Sequence, residues 1–195
     1  ACPGCYPTSI QIPLIPLLKK KLIKSKNIII DSKSGYSGAG KNFKYKFKYK
    51  NLYQAIHPYG ITNHRHLAEI DQELFNASQS HVKYIFTPHV IPTFRGLLSA
   101  IYVEKNKGVT LKKIHKELVN YHKNNFFIKI AKINKNIGTE NVINSNFCEV
   151  SVCKLNFKNK ILILSAIDNL IKGAGGQAIQ NMNLIYGYKE NLGLK

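Results

Sequence analysis

The densest apolar pattern lies near the start of the chain. Ile10, Ile12, Leu14, Ile15, Leu17 and Leu18 fall within residues 9–20 and read as a buried helix. Pro13 and Pro16 complicate that reading, because an interior proline costs a helix about 3 kcal/mol or kinks it. Ile28, Ile29 and Ile30 stand together between Asn27 and Asp31 and predict a strand buried on both faces. Residues 82–90 (VKYIFTPHV), 96–104, 126–133, 147–155 and 161–167 read as further strands. A helix carrying Ile70 and Leu74 follows Asn63-His64-Arg65-His66. Thr110 caps another, with Leu111, Ile114 and Leu118 on one face. Residues 168–188 predict a glycine-containing helix, or a loop and then a helix. No repeat or linker interrupts the 195 residues, so one domain with one core is expected.

Composition narrows the class. With 44% hydrophobic and 20% charged residues the chain reads as a soluble globular protein. No apolar run approaches the roughly 20 residues a membrane span needs. The N-terminus lacks a signal-peptide layout, and four cysteines without secretory context predict reduced thiols in the cytoplasm. The net charge of +19 invites a nucleic-acid reading. That reading is discounted, since all but two of the 29 basic residues are lysines and phosphate readers usually also use arginine's fork. Residues 43–50 alternate aromatic and lysine. A half-buried strand or extended loop is preferred there over a platform for single-stranded nucleic acid. Arg65 and Arg95, the two arginines, each sit inside a motif.

The candidate chemistry begins at Ala1-Cys2-Pro3-Gly4-Cys5-Tyr6-Pro7-Thr8. Gly4 permits a tight turn, Pro7 suits the first turn of a helix, and Cys5 would lie at the helix N-terminus. The macrodipole there favours a thiolate and is expected to lower the thiol pKa, as a nucleophile requires. Cys2-Pro3-Gly4-Cys5 is also a C-x-x-C that could form a redox dithiol or half of a zinc site. His64 and His66 could bind metal, although spacing places no third ligand, or one could be the acid/base partner of Cys5. Ser34-Gly35-Tyr36-Ser37-Gly38-Ala39-Gly40 is a loop of small residues without the spacing of a nucleophile elbow. Gly173-Ala174-Gly175-Gly176 does not open a dinucleotide-binding turn. Arg95, after a proline turn, is placed to meet an anion at a strand end, and Cys148 and Cys153 read as strand or core residues.

Several stretches together resemble one family. PGCYPT at 3–8, SGYSGAG at 34–40, HRH at 64–66, FTPHVIP at 86–92, Arg95-Gly96, SNFC at 145–148 and IDNLIKGAGGQAIQNMN at 167–183 are similar, in order, to N-acetyl-γ-glutamyl-phosphate reductases. These are NADP-dependent enzymes of arginine biosynthesis. The resemblance implies an α+β fold: a mixed, mainly antiparallel sheet with helices on one face, like the catalytic domain of glyceraldehyde-3-phosphate dehydrogenase. It implies Cys5 as nucleophile and His64 as acid/base, in a reaction that passes through a thioacyl-enzyme. Arg95, Ser34, Gly35 and His66 would contact an acyl-phosphate substrate, with loop N–H groups bordering the site, and Asn169 would hold the nicotinamide amide of NADP(H). No metal, nucleic acid or membrane partner is implied, and a homo-oligomer (dimer or tetramer) is.

The departures are Cys2, which could form a disulfide with Cys5, Ala68 where a proline commonly follows HRH, and the added Pro13. Nothing here resembles the family's N-terminal Rossmann domain. The chain is therefore expected to be the catalytic and dimerisation portion (1–195) of a longer enzyme and inactive alone, with 167–188 packing back on the NADP-binding domain. The alternative is a zinc-stabilised basic nucleic-acid-binding protein using Cys2, Cys5, Cys148 and Cys153. It is weakened by the C-x4-C spacing, which puts residues 148 and 153 on opposite faces of a strand.

Overall fold

The computed structural model describes residues 2–39 and 54–195, so the alternating stretch at 43–50 lies outside the described residues. Helix α1 (Cys5–Lys19) is the centre of the fold and is buried on almost every side, which explains its unbroken apolar run. Both prolines lie inside it, yet the helix continues. Pro16 has no N–H for the carbonyl four residues earlier, so Ile12 O takes its bond from elsewhere: His122 Nε2 lies 3.0 Å away. Asn125 Nδ2 sits 2.9 Å from His122 Nδ1, which makes Nδ1 the acceptor and Nε2 the donor.

The remaining elements are β1 (Ile28–Gly35), β2 (His57–Pro58), α2 (Leu67–Ser78), β3 (Tyr84–Ile91), β4 (Leu97–Glu104) and α3 (Leu111–His122). After them come β5 (Ile128–Ile130), β6 (Cys148–Lys154), β7 (Lys160–Ile167), a π-helical turn (Ile171–Gly175) and α4 (Gly176–Ile185). The seven strands form one sheet in the order β2-β3-β1-β4-β7-β6-β5. Only β1–β3 and β5–β6 pair in parallel, so the sheet is mixed and mainly antiparallel, as expected. Helix α1 lies on β4 and β7, α3 on β5 and β6, and α2 against α1, which puts the helical layer on one face.

Strand alternation supplies the core beneath those helices: Ile28 and Ile30, Leu97 and Ile101, Ile161 and Ile163, and Val150 and Val152 are all buried. A row of buried serines crosses it at one level, because Ser32 pairs with Ser99 and Ser99 with Ser165. Ser99 Oγ lies 2.7 Å from both Ser9 Oγ on α1 and Ser32 Oγ. These small side chains seat α1 close on the sheet and fix its height by hydrogen bonds.

Three expectations are corrected. Ile29 is 40% exposed, because the helical layer covers one face of β1 and the opposite face there is open. The predicted strand over 126–133 is only Ile128–Ile130; Asn134, at φ 64°, turns the chain out of the extended run soon afterwards. The loop of small residues begins as strand, since β1 reaches Gly35 and a 3₁₀ turn (Tyr36–Ala39) follows. No helix among the described residues is long and apolar enough to cross a membrane.

Candidate active site

Cys5 is the first residue of α1, with Gly4 as an N-cap that offers no side chain to the free N–H groups. The π-helical turn after β7 closes over it. A Cβ on Gly173 would lie 2.5 Å from Cys5 Cβ, so only glycine lets the turn rest there. The thiol is buried as a result. Burial outweighs the N–H bonds of Tyr6 and Cys5 and the nearby Arg65 charge, and pushes its pKa up to about 11. The expected lowering is thus overturned, although the helix N-terminus is where the sequence placed it. Cys5 is held as a thiol and would need a proton acceptor to serve as a nucleophile.

The turn before α2 supplies the neighbours. A Cβ on Gly4 would lie 2.3 Å from His66 Nε2, so the His66 ring rests directly on the turn that carries Cys5. Glu69 Oε2 accepts the Gly4 N–H at 2.8 Å and ties α2 to the same turn. His64 faces differently. Its Nδ1 accepts the His66 N–H at 3.1 Å, which leaves the proton on Nε2, 3.4 Å from Tyr59 Oη. Tyr59 donates to Tyr6 Oη at 3.2 Å, and Tyr6 to the His89 carbonyl at 3.1 Å. His66 Nδ1 is buried and has no hydrogen-bond partner among the described residues. Burial first, then the charge of Arg65 (for His64 after that of His66), lowers both imidazoles to about 4, so both are neutral at neutral pH.

At the start of the turn that covers Cys5, Asp168 is a fully buried carboxylate with every oxygen engaged. Its Oδ2 accepts Arg95 Nη1 at 3.0 Å and Asn144 N at 2.8 Å; its Oδ1 accepts Leu170 N at 2.8 Å and Ile171 N at 3.2 Å. Arg95 Nη1 also donates to Asn144 Oδ1 at 2.9 Å, so the arginine expected to meet substrate is bound to this hub. Asn169 is buried too, accepting Gly96 N at 2.7 Å and donating to Ser37 Oγ at 3.0 Å. The expected N–H donors of the small-residue loop are not free. Gly35, Tyr36 and Ser37 N–H bond to the carbonyls of Gly96, Thr93 and Phe94 at 2.8–3.1 Å. Ser34 is buried, and its hydroxyl donates to Gly35 O at 3.2 Å.

Of the contacts to a dinucleotide that the resemblance implies, the candidate here is Asn169, whose amide keeps one N–H without a partner among the described residues. The glycines of 173–176 are no phosphate cradle, since a Cβ on Gly173 or Gly176 would strike Cys5, or Asn146 and Ile171. The four-cysteine zinc arrangement does not form. Cys148 Sγ is 3.6 Å from Ser165 Oγ under the helices, whereas Cys153 Sγ approaches Lys135 O at 3.8 Å on the other face. No group of three or more metal-ligating side chains occurs among the described residues.

Sequence reasoning missed four contributors. Glu69 was within reach, three residues past HRH, and Asp168 precedes the chosen Asn169. Tyr59, and the buried Lys172 that donates to Gln180 Oε1 at 2.6 Å, carried no local signal.

The family described as semialdehyde dehydrogenase, dimerisation domain, matches residues 5–169. A probable chloroplastic N-acetyl-γ-glutamyl-phosphate reductase of Arabidopsis thaliana is 47% identical over 194 residues, covering 100% of this chain and 48% of that protein. The N-acetyl-γ-glutamyl-phosphate reductase of Ehrlichia canis is 45% identical, covering 100% of this chain and 56% of its own length. The chain thus spans about half the length of the curated relatives it matches. Among solved structures, aspartate semialdehyde dehydrogenase II of Vibrio cholerae superposes with a TM-score of 0.71 at 16% identity, over 96% of this chain and 62% of that one. That likeness shows the fold: a sheet-and-helix catalytic domain of the glyceraldehyde-3-phosphate dehydrogenase kind.

Proposed function

Since the chain belongs to the semialdehyde dehydrogenase family, we propose that it carries the acyl-transfer centre of an N-acetyl-γ-glutamyl-phosphate reductase. The reaction is reduction of N-acetylglutamyl 5-phosphate to the 5-semialdehyde with release of phosphate, in cytoplasmic arginine biosynthesis. The names of its relatives support the substrate. The observation that carries the chemistry is Cys5 at the head of a buried helix, with a neutral imidazole on the adjoining turn.

Cys5 Sγ attacks the acyl carbon as its proton passes to imidazole, the C–S bond forms, and the C–O bond to phosphate breaks. A thiol held up to about 11 and imidazoles held down to about 4 rule out a standing ion pair, so proton transfer accompanies attack. His64 is the partner the resemblance implies. The geometry favours dividing the work: His66 rests on the Cys5 turn through Nε2, the nitrogen that would take the proton, and His64 orients the His66 backbone and Tyr59. Reduced NADP, when bound, supplies a hydride to the thioacyl carbon. Asn169 would hold its carboxamide, and the same imidazole would protonate and then release the thiohemiacetal oxygen.

Two further parts of the reading concern surfaces. Ile179, Met182, Ile185 and Tyr186 on and just after α4 are 40–79% exposed, which supports packing of 167–188 against a nucleotide-binding portion, with turnover only when that portion is present. Ile29 and Ile85, 40% and 61% exposed on the open sheet face, together with the family description, support a homo-oligomer. The test of the chemistry is acyl transfer itself: incubation with the acyl phosphate, then intact mass and phosphate release. The expected result is one acyl group per chain on Cys5, none in Cys5→Ser. An acylated Cys5→Ser chain, or release of phosphate without Cys5, would overturn the proposal.

A further inference from the structure

Most groups that could receive a substrate oxyanion here are already occupied. Arg95 Nη1 serves Asp168 and Asn144; the loop N–H groups of 35–37 serve the carbonyls of 93–96; Lys172 is buried against Gln180. Lys33 is paired with Asp31. Arg65 differs. It is exposed between two buried histidines, and among the described residues no hydrogen bond or ion pair engages its guanidinium. In a chain where all but two basic residues are lysine, this turn carries a guanidinium, whose planar fork suits an oxyanion better than an ammonium does.

The surroundings point the same way. The N-termini of α1 and α2 meet at the Gly4–His66 contact, and neither has a side-chain cap. Both direct the positive ends of their dipoles at that point. The buried His66 Nδ1 beside them lacks a partner. Glu69 is the opposing charge, and its Oε2 is bound to Gly4 N. The Arg65 charge reaches the thiol, where it works against the effect of burial.

We propose that Arg65 holds an oxyanion of the substrate, phosphate or carboxylate, beside Cys5, while Arg95 is a positioning residue on Asp168. This deepens the acyl-phosphate reading and rests on it. The fork of Arg65 receives the anion in two parallel bonds, and the two helix ends and His66 Nδ1 complete the site.

The test needs no turnover, so its failure is separable from failure of the proposed reaction. Alkylation of Cys5 by iodoacetate and by iodoacetamide is followed by mass on the native chain, and the ratio of the two rates is taken. Arg65 is exposed, so Arg65→Gln leaves the fold intact. It is expected to lower the ratio about fivefold, the effect of one charge at short range in a partly screened site. Inorganic phosphate and acetate are then added as competitors. Slowing of iodoacetate by phosphate alone assigns the leaving phosphate, and slowing by acetate assigns a carboxylate. Arg65→Lys is expected to keep most of the ratio but weaken the protection, while Arg95→Lys changes neither. An unchanged ratio in Arg65→Gln, no protection by either anion, or loss of protection in Arg95→Lys would overturn the proposal.

Discussion

Two sides of Cys5 are built on opposite plans. The Asp168 side is saturated: a fully buried carboxylate takes four donors, and Asn169 beside it joins Gly96 to Ser37. The His66 side is left open: among the described residues it has a buried nitrogen lacking a partner, an unengaged guanidinium and two helices without a side-chain cap. A buried polar atom without a partner costs stability, so a fold that tolerates one marks where something else completes it. The saturated side holds the geometry, and the open side is where we propose the substrate is received.

The largest effect that would sharpen this comparison is Asp168→Ala. It strips Arg95, Asn144 N, Leu170 N and Ile171 N of their acceptor and should cost about 3–5 kcal/mol, read from urea unfolding. A loss below about 1 kcal/mol would break the comparison, because Asp168 would then be no hub. Gly173→Ala comes next. Its new methyl meets Cys5 Cβ, so a loss of about 1–3 kcal/mol from overpacking should accompany a far larger fall in Cys5 acylation than in overall stability. His122→Leu removes the donor to Ile12 O and should cost about 1–2 kcal/mol in the same unfolding assay.

A pH series tests the open side more finely. His64 and His66 titrate near 6.5 when unfolded and about 4 when folded, so the unfolded chain binds more protons between those values. Stability should fall as pH drops from about 6.5 towards 4, and His66→Gln should flatten that slope. Cys5 acts at the other end: its folded pKa of about 11 exceeds the ordinary 9.0, so stability should fall as pH rises between them and Cys5→Ser should remove that part. The smallest effect is Arg65→Gln on stability, expected within about 0.5 kcal/mol since its guanidinium has no bond to lose among the described residues.

What was legible in the sequence follows from range. The apolar run of α1, the Thr110 cap, the strand alternation and the place of Cys5 at a helix N-terminus are written within a few neighbouring residues. Burial of that cysteine depends on Gly173, and the fate of Arg95 on Asp168, in segments joined only by folding. Local rules therefore gave the right helix end and the wrong direction for its thiol. The bond from Arg95 to Asp168 was out of reach for the same reason, since an arginine after a proline turn shows nothing of a carboxylate on another strand end. Ile29 shows the complementary limit: three isoleucines in a row do not reveal that one sheet face lacks a cover.

Pro16 has a consequence for the order of assembly. A helix with two interior prolines has little tendency to form alone, and the carbonyl that Pro16 leaves free finds its donor 110 residues further on. The segment bearing Cys5 thus waits for α3 to arrive. Its helical end matures together with a long-range closure of the chain rather than before it. During synthesis and refolding, the Cys5 thiol reaches its buried setting only once the protein around it exists.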